Sequence, residues 1–376
     1  MSRPRIIVAG LGDTGLLTAI HLAKHADVLG ISAKPGLVSG QELGMRLSRP
    51  GEWARDYWVP FDRFHRLDSV RTVHASLTGL DVQARRVHFT GPDGTPATEP
   101  YDALVISTGV SNGFWRRPEL QTRDQVAATI AADHARLATA DSVIVLGGGA
   151  AAVSTAFNVA TTWPGKQVDL YFPGDRALPH HHPRVWRTLS ARLDRLGVGL
   201  HPRHRAIIPD DFACDDITGD PVEWSTGQPK TKAAAVLWTI GRTVPNTTWL
   251  PRELLNENGF VNVDPYLRVP TAPGVYAIGD VAATDPLRTS ARSRADSLLA
   301  HNIRADLTGG EAKPFIPARR RWGSVVGTQR NTLEIFTPTG RALPIPAWSR
   351  LQPFIVRRGI YGGIRNQPHD PVDPVK

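Results

Sequence analysis

The chain has 376 residues, 41% hydrophobic and 21% charged, with a formal net charge of +9. That composition excludes a disordered chain, and no apolar run reaches the roughly 18–20 residues of a membrane-spanning helix. The length has room for two domains and an appendage, and a single cysteine, Cys214, excludes an internal disulfide and suits a reducing, cytoplasmic compartment.

Met1-Ser2-Arg3-Pro4-Arg5 runs into a predicted strand at 5–9 without the apolar segment of a signal peptide. The strand stops at Gly10-Leu11-Gly12-Asp13-Thr14-Gly15, a helix is predicted over 13–25, and a second strand over 27–32. Such a turn has a physical rationale. The first glycine makes the bend, the second admits a pyrophosphate to the backbone, and the third lets helix pack on strand. The helix N-terminus then offers free N–H groups and partial positive charge to phosphate. A buried strand follows at Val105–Thr108, ending in Gly109.

The pattern then repeats. Val143-Ile144-Val145-Leu146 meets Gly147-Gly148-Gly149-Ala150-Ala151-Ala152, with alanine in the third glycine position. Further apolar runs are Val168–Phe172, Ala235–Ile240 before Gly241-Arg242, and Gly274–Ile278 before Gly279-Asp280-Val281; a helical pattern extends from Ser290 to Leu307. Two dinucleotide turns imply two dinucleotides, and a hydride donor with a flavin is the usual reason to hold two.

This order of parts resembles the FAD-dependent pyridine nucleotide–disulfide oxidoreductase superfamily over nearly the whole chain. Within it the chain is most similar to the apoptosis-inducing-factor-like and type II NADH dehydrogenase-like (ferroptosis-suppressor-like) NAD(P)H:quinone oxidoreductases. The resemblance implies an α/β fold with two Rossmann-like domains. The NAD(P) domain (113–256) interrupts a split FAD domain (1–112 and 257–308), and a small basic C-terminal segment (309–376) follows. FAD and NADPH or NADH are the implied cofactors.

For FAD, the resemblance implies backbone contacts from Gly10, Gly12, Asp13, Thr14 and Gly15, with Thr108 and Gly109 at a neighbouring strand end. It places Asp280 at the ribityl or pyrophosphate region and the Val281 N–H near the pyrimidine end of the flavin. The carboxylate that usually binds the adenosine ribose is missing; Ser32, Lys34 and Arg46 stand as substitutes. For NAD(P)H it implies Gly147, Gly149, Ala150, Ala151 and Gly241. Relatives often place a glutamate where this chain has Ser154, and the strand ending at Phe172 lacks a carboxylate for the 2′-hydroxyl. Arg176 is the candidate for a 2′-phosphate, tilting the expectation toward NADPH. Among Arg288, Arg292 and Arg294, Arg288 is the candidate to lie against the flavin and stabilise its reduced, anionic form.

No metal site is expected. His180-His181-His182 cannot all turn onto one ion, and Asp210-Asp211 and Asp215-Asp216 lack the spacing of a Ca²⁺ loop. With one cysteine, the chain has no pair through which electrons could pass to a disulfide.

Residues 313–376 carry 11 Lys and Arg against 3 Asp and Glu, a net of +8, so almost the whole basic excess is in the tail. Arginines alternate there with apolar residues from Trp348 to Tyr361. That pattern suits packing on the FAD domain or on a second copy in a homodimer, and also peripheral docking on an anionic membrane, where a quinone would lie. A nucleic-acid partner is not expected. The expected function is hydride transfer from NAD(P)H to FAD and then to a quinone. Alternatives are a reductase of a small redox protein of the ferredoxin or rubredoxin type, and a non-catalytic nucleotide-sensing flavoprotein.

Overall fold

The structure, a computed structural model, describes residues 3–113, 116–241, 243–291 and 294–365. Its two main sheets use β1 (Arg5–Ala9), β2 (Asp27–Ser32), β3 (Val70–His74), β4 (Ala103–Ile106), β5 (Ser142–Leu146), β6 (Gln167–Tyr171), β7 (Gly199–His201), β8 (Ile217–Thr218), β9 (Ala235–Trp238) and β10 (Val275–Ala277). The helices are α1 (Asp13–Leu22), α2 (Leu43–Ser48), α3 (Pro50–Tyr57), α4 (Arg123–Thr139), α5 (Ala150–Thr162), α6 (Pro183–Arg195), α7 (Ala295–Thr308) and α8 (Trp348–Gln352).

The first sheet has the order β10-β4-β1-β2-β3, all parallel. The second repeats the pattern as β8-β9-β5-β6-β7, with β8 antiparallel to β9. In both, the strand before the glycine turn is central, so it must be apolar on both faces. In β1, Ile6 and Val8 face a core shared with α1 and α7, while Ile7 and Ala9 face Phe89, Tyr101 and Trp249. In β5, Val143 and Val145 join the α5–α6 core, while Ile144 and Leu146 meet Tyr171, Trp224 and Trp238. An uninterrupted apolar run, rather than alternation, is the signature of such a strand.

Element boundaries differ from the sequence reading most clearly at three places. α1 ends at Leu22 rather than 25, because His25 and Ala26 N–H groups bond back to the Leu22 carbonyl and turn the chain into β2. β4 spans Ala103–Ile106 rather than Val105–Thr108, since Ser107 turns its hydroxyl to the Gly10 carbonyl and Thr108 and Gly109 bond Asn246 rather than a neighbouring strand. α7 begins at Ala295 rather than Ser290: Thr289–Ala291 form a 3-10 turn, and Arg294 is left-handed at φ 53°.

After α7 the chain builds a three-stranded antiparallel sheet from Thr328–Gln329, Thr332–Phe336 and Ala342–Ile345. Val325, Val326 and Phe336 enter the core of the second unit, and Arg192 on α6 makes a two-pronged bond to Glu334 at 2.7 and 3.0 Å. α8 and a π-helical turn (Pro353–Ile360) lead back to the first unit. There Tyr361 packs edge-on against Phe64 at 5.2 Å, and Arg365 bonds Asp68 at 2.6 Å. Among the described residues no helix is long and apolar enough to cross a membrane.

Candidate functional site

The first glycine turn closes at the C-terminal end of β1. Gly10 has φ +99°, and a Cβ there would sit 2.6 Å from the Ser107 oxygen. Gly15 is as tightly placed, with a Cβ coming 2.5 Å from Ser107 Oγ. Gly12 is different. Its backbone is extended and a Cβ would meet nothing within 4 Å. Two glycines therefore build the turn, and the middle one leaves open space at the helix N-terminus.

Asp13, the first residue of α1, does not project freely into that space. Its carboxylate accepts from Ser39 Oγ at 2.6 Å, the Gly40 N–H at 3.0 Å and Gln41 Nε2 at 3.3 Å, holding the 39–41 loop across the helix end. Thr14 donates to the Ala291 carbonyl at 3.3 Å, and Gly279 (φ +83°) lies against the Thr14 side chain. Asp280, next in the chain, forms an ion pair with Arg116, whose guanidinium also lies against Gly40 of the loop that Asp13 holds. Burial works against the Arg116 charge, but Asp280 outweighs it and holds the guanidinium pKa above its ordinary value. Val281 is fully buried, its carbonyl accepting from the Val261 N–H. Thr108 donates to the Asn246 carbonyl at 2.8 Å, Asn246 Nδ2 returns a bond to the Thr108 carbonyl at 2.9 Å, and the Asn246 N–H donates to the Gly109 carbonyl.

The proposed ribose substitutes are placed less uniformly. Ser32 is buried at the end of β2 and accepts from the Lys34 N–H at 3.2 Å. The Lys34 ammonium donates to the Glu119 carbonyl, and burial, partly offset by Glu119, lowers its pKa to about 8. Arg46 turns inward: it is buried on α2, stacks over Trp53 and faces Asp133 of α4, with burial lowering its pKa to about 10. Arg288 lies over the Phe260 ring at 5.0 Å. Arg242 and Arg292 lie outside the described residues.

The second turn repeats the division of labour. Gly147 has φ +136° and a Cβ there would run into Thr239 Oγ1, whose hydroxyl donates to the Leu146 carbonyl at 2.5 Å. Gly149 caps α5 in extended conformation with no atom within 4 Å of a Cβ. Ala150 and Ala151 open the helix, and Ala152 is fully buried. Gly241 (φ +128°) sits against buried Cys214, whose thiol pKa burial and Asp215 raise to about 11. Beside Gly147 is a cavity of about 270 Å³ lined by Tyr171, His204, Arg205, Trp224, Ile240 and Gly241, among others.

One expectation changes here. Arg176 points its guanidinium into its own loop, donating to the carbonyls of Leu178, Pro179 and His181 at 3.0, 3.1 and 3.5 Å. It serves there to fix the loop that crosses Gly148. Ser154 is buried where α5 crosses α2: a Cβ on Gly44 would lie 2.6 Å from Ser154 Oγ. Sequence reasoning missed Arg116, Asn246, Ser39 and Gln41. They sit on loops with no motif of their own and reach the site only through long-range contacts.

The sequence profile of the pyridine nucleotide-disulphide oxidoreductases matches residues 4–295. The chain belongs to that family. Among similar proteins, oxidoreductase ptaL of Pestalotiopsis fici is 27% identical over 76% of this chain and 74% of its own length. Ferroptosis suppressor protein 1 of Xenopus laevis is 24% identical, with 83% of each chain covered. Among solved structures of similar fold, the water-forming NADH oxidase from Lactobacillus brevis, determined bound to NADH, superposes with a TM-score of 0.61 at 16% identity, covering 88% of this chain and 74% of that one.

Proposed function

We propose that this oxidoreductase uses FAD, takes hydride from NADPH or NADH, and passes electrons to a non-disulfide acceptor, a quinone. The observation that carries the reading is the pair of glycine turns, each tight at its first glycine and open at its middle one. Open space at a helix N-terminus is what a pyrophosphate requires, so the residues fit both dinucleotides. When bound, the flavin supplies the capacity to accept a hydride and release its electrons to the acceptor.

Gly10, Gly12 and Gly15 would hold one pyrophosphate, Gly147 and Gly149 the other. Asp280 and Arg116 would orient the first cofactor beside the 39–41 loop that Asp13 fixes. The proposed FAD unit is 1–112 with 257–308, and the pairing of β10 with β4 supports that split. The single cysteine supports an acceptor other than a disulfide.

The C-terminal segment supports a quinone held at a membrane surface. Phe354, Ile355 and Ile360 are exposed on the turn that also carries Arg358. Apolar anchors beside cations suit peripheral contact with an anionic bilayer. A second reading, reduction of a small acidic redox protein, is favoured by another surface. Arg184, Arg187, Arg319 and Arg320 are exposed, and desolvation together with Arg320, Arg184, Arg176 and Arg187 holds His182 below its ordinary pKa.

The test is an anaerobic titration of the purified protein with NADPH and then NADH, followed in the visible flavin band. Bleaching, then turnover with a soluble quinone and none with a disulfide, is expected. A flavin that neither nucleotide reduces overturns the proposal. A rate with an acidic redox protein that falls steeply with salt would favour the second reading.

A further inference from the structure

We propose that the cavity beside Gly147 takes the adenosine end of the nicotinamide dinucleotide, and that Arg205 reads a 2′-phosphate there, making NADPH the preferred donor. This rests on the nucleotide-site reading given under Proposed function and names the residue that sets its specificity.

The cavity opens where β5, β6 and β9 end, next to the turn that would hold the pyrophosphate. Its wall is aromatic. Tyr171 lies between His201 and Trp224, with ring centroids 4.1 and 4.6 Å away and planes within 10° and 26°. His204 meets Trp224 edge-on at 4.9 Å. A flat, largely apolar wall beside Ile208 and Ile240 suits a purine ring.

Among the described residues that line it, Arg205 is the one Lys, Arg, Asp or Glu. Among the described residues, no carboxylate lines the cavity. The nearby acids are engaged elsewhere: Asp169 with His201 at 2.7 Å, Asp175 with Arg203 at 2.6 Å, and Glu223 with Lys230 at 2.6 Å. A carboxylate that accepts from the 2′-hydroxyl is the usual mark of a site that selects NADH, and the described lining residues offer none.

Arg205 supplies the opposite charge. Its main chain is pinned: the N–H donates to Thr226 Oγ1 at 3.2 Å, and the carbonyl accepts from the Ser225 N–H at 2.9 Å. Arg205 is one of the residues that line the cavity, and among the described residues its guanidinium is in none of the ion pairs or side-chain hydrogen bonds. A fixed backbone carrying an uncommitted, permanently charged fork is suited to a phosphate dianion. Arg176, the nearer candidate in sequence, has its donors committed to three carbonyls.

The experiment is calorimetric binding of adenosine 2′,5′-bisphosphate and of AMP to the full chain, which reads the site without turnover. The wild type is expected to bind the bisphosphate about tenfold or more tightly than AMP, the factor that one charge-assisted hydrogen bond supplies. Arg205→Ala should erase that preference and leave AMP affinity unchanged, Arg205→Lys should keep part of it, and Arg176→Ala should keep it whole. Equal wild-type affinities, or a preference lost in Arg176→Ala and kept in Arg205→Ala, overturn the assignment while leaving the nucleotide site standing. Failure of the wild type to bind either ligand overturns the assignment and the nucleotide-site reading together.

Discussion

Gly44 of α2 rests directly on the backbone of Ser154 in α5, with the Ser154 carbonyl carbon 2.6 Å from where a Gly44 Cβ would stand. α2 follows the loop that Asp13 holds over the first glycine turn, and α5 begins at the second. The contact therefore joins the two turns through rigid helix. Nearby, Asn158 Nδ2 donates to the Ser154 and Val326 carbonyls at 2.8 and 3.0 Å, and Arg49 donates to Asn158 Oδ1 at 2.9 Å.

Gly44→Ala should force this crossing apart and cost about 1–3 kcal/mol, the usual range for overpacking. Urea denaturation measures it. An unchanged midpoint would show that the helices separate without strain.

The glycines within one turn should behave in opposite ways. In Gly12→Val the Cβ meets no atom within 4 Å and the backbone stays ordinary, so stability should stay within about 0.5 kcal/mol while flavin retention falls. Gly10→Val places a branched side chain at φ +99° against Ser107 and should cost on the order of 1–3 kcal/mol. Thermal unfolding and the flavin content of the purified variants separate the two effects. A Gly12→Val protein with full flavin content would remove the phosphate role from that glycine.

Asp280→Asn leaves the Arg116 guanidinium with a neutral partner in a half-buried site. Both side chains keep some solvent, at 33% and 25% exposure, so the loss should be modest, about 1–2 kcal/mol. Flavin retention should fall in the same variant. If Asp280→Asn matches the wild type in both chemical denaturation and flavin content, the pair has no role in either.

Asp133 gives the fold a pH signature. Burial raises its pKa to about 6, although Arg46 and Arg117 draw it down. A carboxyl raised above its unfolded value binds its proton more tightly in the folded state. Its contribution is complete at low pH and is lost as pH rises from about 4 through about 6. Asp133→Asn should therefore flatten the change in stability between pH 4 and pH 7. Denaturation midpoints at the two pH values, compared between variant and wild type, would show an unaltered slope if Asp133 does not titrate there.

The central strands and both turns were legible in the sequence because their constraint is local. Ile6 to Ala9 must be apolar on two faces, and Gly10 and Gly147 must adopt positive φ whatever surrounds them. Family membership follows from that order of parts. The ends of elements were less legible: α7 starts at Ala295 because Arg294 is left-handed, which no composition signal announces.

What only the tertiary structure decided is how the charged side chains are used. Arg46, Arg176 and Arg205 look interchangeable as residues, yet one is buried against Asp133, one closes its own loop, and one lines a cavity. The reason is physical. A glycine's backbone freedom belongs to the residue itself, so the sequence determines where the chain must turn. The partner of a long flexible cation is set by what the fold brings within a few ångströms, and Arg116 finds Asp280 at a separation of 164 positions along the chain.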